Sequence, residues 1–93
     1  MHQLYSMEIH NFSAGPCILP PEVMQEASQA VLDFNGMGLS LIEISHRSKE
    51  FVAVMEEARS LVKSLLGLPE RFDVLFLQGG ASLGFLTAAY NFL

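Results

Sequence analysis

Apolar positions along this 93-residue chain recur in three different rhythms, each predicting a different element. Val23, Ala27, Ala30, Val31 and Phe34 fall at offsets of 4, 7, 8 and 11, which places them on one face of a helix. The helix should start near Pro20-Pro21, because proline suits the first turn and Glu22 complements the positive helix end. Asn35-Gly36 and Gly38 should end it, since both residue types accept left-handed backbone angles. A second amphipathic helix carries Phe51, Val54, Met55, Ala58, Val62 and Leu65 on its apolar face. Ser48 is its natural N-cap, Glu50 lies in its first turn, and Gly67 followed by Pro69 stops it. Residues 8 to 19 read as extended or irregular chain with a turn at Gly15-Pro16, and Leu39 to Ser48 as a connection with room for a short strand.

The third rhythm is continuous. Val74-Leu75-Phe76-Leu77 is an unbroken apolar run between Asp73 and Gln78-Gly79-Gly80, which suits a strand buried on both faces of a parallel sheet. From Ser82 onward, Leu83, Phe85, Leu86, Ala88, Ala89, Tyr90, Phe92 and Leu93 are apolar nearly all round, as in a helix covered on every side. The expected class is α/β: an extended N-terminal segment, two amphipathic helices, one buried strand and one buried helix. A buried strand needs partners for its backbone donors and acceptors, and no second convincing strand is present. The 93 residues are therefore read as an incomplete piece, either truncated or one chain of a split protein. No internal repeat or Pro/Gly/Ser-rich linker divides them.

Composition narrows the function classes. At 51% hydrophobic and 16% charged, without low-complexity tracts, the chain is expected to be ordered. The formal charge of −5 and the lack of a basic stripe argue against nucleic acid as a partner; all five cationic residues (Arg47, Lys49, Arg59, Lys63, Arg71) lie between positions 47 and 71. Residues 1 to 6 have neither the basic region nor the long apolar stretch of a signal peptide. No window reaches the roughly 18 consecutive apolar residues of a membrane span, so a soluble protein is expected. Cys17 is the single cysteine, which excludes an intrachain disulfide and a cysteine-based zinc site and fits a cytoplasmic setting. It reads as a small buried residue. His2, His10 and His46 share no ligand spacing, so no metal is expected. The methionines, Tyr90 and the seven phenylalanines read as core or loop filling.

Two short motifs could carry chemistry. Gln78-Gly79-Gly80-Ala81-Ser82 lies between the apolar run and a helix start, where glycines turn the backbone and first-turn amides face an anion, above all a phosphate. It is neither a P-loop, since no Gly-Lys-Ser/Thr follows, nor a dinucleotide fingerprint. A plain strand-to-helix turn capped by Ser82 reads the same residues without a ligand. Ser45-His46-Arg47-Ser48 pairs a planar fork of donors with an imidazole, suited to a carboxylate or phosphate. A solvated pair beside Glu43 and Glu50 is the other reading.

Taken in order, three segments resemble the phosphoserine aminotransferase family. Asn11-Phe12-Ser13-Ala14-Gly15-Pro16, with Leu19-Pro20 after it, is similar to the family's opening signature. The stretch from Gly38 through Ser45-His46-Arg47-Ser48-Lys49-Glu50-Phe51, and the run Val74 to Ser82, resemble two further family segments with the same spacing. The resemblance covers about Asn11 to Leu93. It implies the large domain of an aspartate-aminotransferase-like, fold type I enzyme: a homodimer using pyridoxal 5'-phosphate, with residues 1–93 supplying the N-terminal segment and the start of the cofactor-binding domain. The implied reaction exchanges an amino group between phosphoserine and 2-oxoglutarate, yielding glutamate, in serine biosynthesis and in bacteria also in pyridoxal phosphate biosynthesis.

By position, the amides of Ala81 and Ser82 match the family's cofactor-phosphate cradle. His46 and Arg47 match its substrate-anion pair, which family dimers present to the neighbouring subunit's site. Ala14 stands where some members have serine, and Ser82 where some carry an arginine that holds the substrate phosphate; both departures bear on the substrate. The lysine that joins the cofactor, and the acid at its ring nitrogen, lie downstream in the family, so no catalytic residue is expected within this chain. Lys49 and Lys63 occupy charged, outward positions on the second helix and are not assigned that role. Two other readings are a related fold type I aminotransferase with another acidic donor and a non-catalytic fragment.

Overall fold

The computed structural model describes residues 8–93. The reading of residues 1 to 6 as lacking a signal peptide lies outside the described residues. After Ser48 the chain divides into two units.

The first unit begins with a loop folded around Asn11, whose backbone carbonyl accepts the Ile18 amide at 3.0 Å. Helix α1 follows over Pro21–Leu32, with Pro20 as N-cap and Pro21 at the first helical position. It ends two residues earlier than the apolar spacing to Phe34 predicts. Asp33 turns extended (φ −163°, ψ 115°), and its carboxylate accepts the Gly38 amide at 2.6 Å. That bond closes a turn in which Asn35, Gly36 and Gly38 all take positive φ, as expected, and leaves Phe34 outside the helix. The Phe34 amide donates instead to the Leu39 carbonyl at 2.7 Å.

The following connection holds a single 3₁₀ turn, η1 (Leu41–Glu43), where a short strand had room to form. The Ser40 hydroxyl accepts the Ile42 amide at 3.2 Å, and the Glu43 carboxylate accepts the Ser40 amide at 2.8 Å. This capping box satisfies the amides that a helical turn leaves without partners. The turn packs on α1, and Ser40 is the one buried residue among those described.

In the second unit, α2 (Lys49–Leu66) matches the expected helix at both ends. Gly67 takes φ +64°, its amide reaches the Ser64 carbonyl at 3.2 Å, and the Leu68 amide reaches the Lys63 carbonyl at 2.9 Å. These are the two bonds of a Schellman stop, which require a left-handed residue at the glycine's position. Lys63 is partly covered rather than fully outward, its ammonium lying 3.5 Å from the Glu70 carboxylate and 3.4 Å from the Glu70 carbonyl. Helix α3 spans Gly80–Phe92 and starts two residues before the expected Ser82.

The expected buried strand is not formed. Residues 74–77 have no strand pairing, and the described residues contain helices and turns but no sheet. Leu75 and Leu77 are 72% and 69% exposed. Nor is α3 a buried helix: Phe85 and Tyr90 are 78% and 81% exposed, so the aromatic residues read as core stand open. The cause is common to both. A strand exists through its ladder partners and an all-round apolar helix through its cover, and residues 8–93 supply neither. Cys17 is likewise free and exposed rather than buried, its amide bonded to the Gly15 carbonyl at 2.9 Å.

Candidate functional site

Three local structures place the residues singled out in the sequence. The first is the turn carrying His46 and Arg47. The Ser45 hydroxyl accepts the Arg47 amide at 3.0 Å, while the Ser45 carbonyl accepts the Ser48 amide at 3.0 Å and the Ser48 hydroxyl at 2.7 Å. His46 and Arg47 therefore sit together at the tip of a turn closed on both sides, and both are exposed. The solvated-pair reading places them beside Glu43 and Glu50. The Glu43 carboxylate instead turns back to the Ser40 amide, and neither His46 nor Arg47 has an ion pair among the described residues. The guanidinium fork of Arg47 is thus exposed, as the solvated reading also expects, with no acid paired to it among the described residues.

The second is the start of α3. The N-cap is Gly79, at φ 109° and ψ −1°, and Gly80 follows at φ +60°. Ser82 is not the cap; it is the third residue of the helix. Because glycine has no side chain, nothing caps the first-turn amides from within, and no acid stands in that turn. First-turn amides have no partners inside a helix. Those of Ala81 and Ser82 lie at its positive end, a donor set that suits a phosphate. The backbone leaves no room for bulk at the cap: a Cβ on Gly79 would overlap the side chain of Leu83. This fits a cradle for the cofactor's phosphate group, made of amides and shaped by glycine.

The third is the loop at Asn11, whose role the sequence reading did not assign. The Asn11 Oδ1 accepts the Ser13 amide at 3.1 Å and the Ser13 hydroxyl at 2.7 Å, and its Nδ2 donates to the Pro16 carbonyl at 2.8 Å. One side chain thus clasps the loop that presents Ala14 and Gly15, the latter at φ +88°. The sequence signal was the Asn-x-Ser pattern, since asparagine readily bonds the backbone two residues ahead. The Ser-x-x-Glu pattern at Ser40 and Glu43 likewise announced its capping box.

Other clusters offer less. In the groove between α2 and residues 73–75, Arg59 is paired with Glu56 and Lys63 with Glu70, so both of its cations already have partners. Among the described residues no three His, Cys, Asp or Glu side chains are grouped to hold a metal ion. No helix there is long and apolar enough to cross a membrane.

The sequence profile of the family described as aminotransferase class-V matches residues 9–93. The chain belongs to this aminotransferase family. Among similar relatives, phosphoserine aminotransferase from Flavobacterium psychrophilum is 65% identical over 88 residues, covering 94% of this chain and 25% of the relative. The enzyme of the same name from Bacillus subtilis is 55% identical over 83 residues, covering 89% of this chain and 23% of its own length. The chain thus spans about a quarter of the length of the curated relatives it matches.

Solved structures agree. Phosphoserine aminotransferase from Trichomonas vaginalis, a crystal structure with pyridoxal phosphate bound, superposes with a TM-score of 0.80 at 40% identity, covering 91% of this chain and 23% of that one. The Bacillus circulans subsp. alkalophilus enzyme gives 0.72 at 45% identity, covering 81% and 21%. The fold of this chain is that of the corresponding part of a phosphoserine aminotransferase.

Proposed function

We propose that this chain is the N-terminal portion of a pyridoxal-phosphate-dependent phosphoserine:2-oxoglutarate aminotransferase, comprising its N-terminal segment and the start of a fold type I large domain. The observation that carries the reading is the start of α3, where two glycines at positive φ open a helix that no side chain caps and no acid crowds. Ala81 and Ser82 would hold the cofactor's phosphate there through their backbone amides. Bound pyridoxal phosphate supplies the electron sink for amino-group exchange. The lysine and the ring-nitrogen acid that serve it would come from the remainder of the protein.

Arg47 would bind an anionic group of the substrate through its fork of donors, with His46 adding one more. In a homodimer this exposed turn would serve the neighbouring subunit's site. Phosphoserine as donor and 2-oxoglutarate as acceptor are the substrates that the relatives' names and the Arg47 chemistry support. A cytoplasmic place in serine biosynthesis follows from the same reading.

The test is turnover by the full-length protein. Glutamate formation from phosphoserine and 2-oxoglutarate should proceed with a kcat/KM far above that with unphosphorylated serine or alanine as donor. Indifference to the phosphate would reject phosphoserine in favour of another acidic donor, and no transamination with any donor would favour a non-catalytic protein.

A further inference from the structure

We propose that Ser45 is a positioning residue that sets the direction in which Arg47 presents its guanidinium, an inference resting on the reading of Arg47 as the substrate-anion residue. Ser45 joins both sides of the turn. Its hydroxyl oxygen accepts the amide of Arg47, and its carbonyl oxygen accepts two donors from Ser48, the amide at 3.0 Å and the hydroxyl at 2.7 Å. Only two residues, His46 and Arg47, lie between these anchors, so the backbone of the tip has little freedom left. Neither has an ion pair to an acid among the described residues that would otherwise orient it. The bond at 3.0 Å from the Arg47 amide is thus the closest constraint on the residue that carries the fork.

A flexible cation loses conformational freedom when it engages an anion, and a backbone held in the bound geometry beforehand reduces that loss. Ser45 does this without touching substrate. Its effect should therefore appear in the binding of the anionic donor and disappear when the guanidinium is gone.

The experiment measures steady-state kinetics with phosphoserine on four full-length variants: S45A, S45T, R47A and the double variant S45A/R47A. One lost hydrogen bond corresponds to about a 3- to 10-fold rise in KM for S45A, with kcat little changed, as for the loss of uniform binding. S45T keeps the oxygen and should return KM to near the wild-type value. R47A should raise KM more than S45A, and adding S45A to it should change nothing further. A merely structural serine would instead act in full in both backgrounds. An R47A effect with wild-type KM in S45A, or with full additivity in the double variant, overturns the role of Ser45 alone. Unchanged KM in R47A overturns the reading of the site and this inference with it.

Discussion

A Cβ placed on Gly79 would stand 2.7 Å from Cγ of Leu83 and closer still to its Cβ and Cδ2. The helix and its cap are thus packed against each other at the one residue that keeps side chains away from the first-turn amides. The backbone adds a second constraint, because φ 109° at Gly79 is a region that L-residues rarely adopt. Gly80 differs: its φ of +60° falls in the left-handed well and its Cβ direction is open. G80A should cost about 1 kcal/mol from the left-handed backbone alone. G79A should cost more, about 2–4 kcal/mol, since conformational strain of about 1–3 kcal/mol is joined by overlap. Denaturant unfolding of the full-length protein checks this, with retention of pyridoxal phosphate on dilution as a second readout. L83A placed on G79A should relieve only the part of the overlap due to Cγ and Cδ2, because alanine keeps the Cβ, and leave the backbone cost. Equal losses for G79A and G80A would show that Leu83 does not constrain the cap.

The Asn11 clasp separates into two halves that different substitutions remove. Aspartate retains the oxygen that Ser13 bonds but loses the Nδ2 donor to the Pro16 carbonyl; alanine loses both. These bonds are exposed to water, so each contributes at the low end of the usual range, about 0.5 kcal/mol. The expected order of stability in the full-length protein is wild type, N11D, N11A, spanning about 1.5 kcal/mol in total. A larger effect is expected on the loop itself. Amide exchange at Ser13 should accelerate in N11A and stay slow in N11D, whose carboxylate still accepts that proton; equal acceleration in both would refute the division.

Ser40 shows the cost of removing a buried cap. It is 6% exposed, its hydroxyl receives the Ile42 amide, and its own amide is received by Glu43. S40A leaves the Ile42 amide without its partner at a part-buried bond and should lose about 1 kcal/mol. E43Q keeps a carbonyl oxygen on the same side chain, so most of its bond survives and the loss should stay below about 0.5 kcal/mol. Chemical denaturation of both variants tests the ranking, and a reversed order would mean that the carboxylate's charge outweighs the hydroxyl.

How much of this was legible in the sequence depended on whether the cause was local. The ends of α2 were readable because Ser48, Gly67 and Pro69 act within one helical turn of the boundary they set. The glycine turn before α3 and the cationic tip at His46 and Arg47 were readable for the same reason. The end of α1 was misread because Phe34 continues the apolar spacing, whereas Asp33 captures the Gly38 amide and turns the chain first. The site's support was only partly visible: the Asn-x-Ser and Ser-x-x-Glu patterns were present, but the bond from Arg47 back to Ser45 depends on a turn that spacing alone does not specify. The apolar run at 74–77 was read as a buried strand because its composition suits one. Composition states what a segment needs, and residues 8–93 supply neither the partner nor the cover.

That unmet need makes a prediction about residues 1–93 produced alone. Leu75, Leu77, Phe85, Tyr90 and Phe92 are all more than two-thirds exposed, and no apolar residue among those described is buried. Exposed apolar surface on this scale drives association in water, with each fully buried large side chain contributing about 1.5–3 kcal/mol. The isolated chain should therefore bind a hydrophobic dye strongly and sediment as concentration-dependent assemblies, whereas the full-length protein should do neither. Charged substitutions separate the two apolar segments. L75K/L77K should reduce association through the run before α3, and F85K/Y90K through the helix, with the combined variant giving the greatest reduction. With pyridoxal phosphate, the isolated chain should show no stoichiometric lysine adduct, because Lys63 is engaged with Glu70 and Lys49 is an exposed residue at the start of α2. A monomeric, dye-dark isolated chain would mean that these residues bury their apolar surface among themselves, in an arrangement different from the one described.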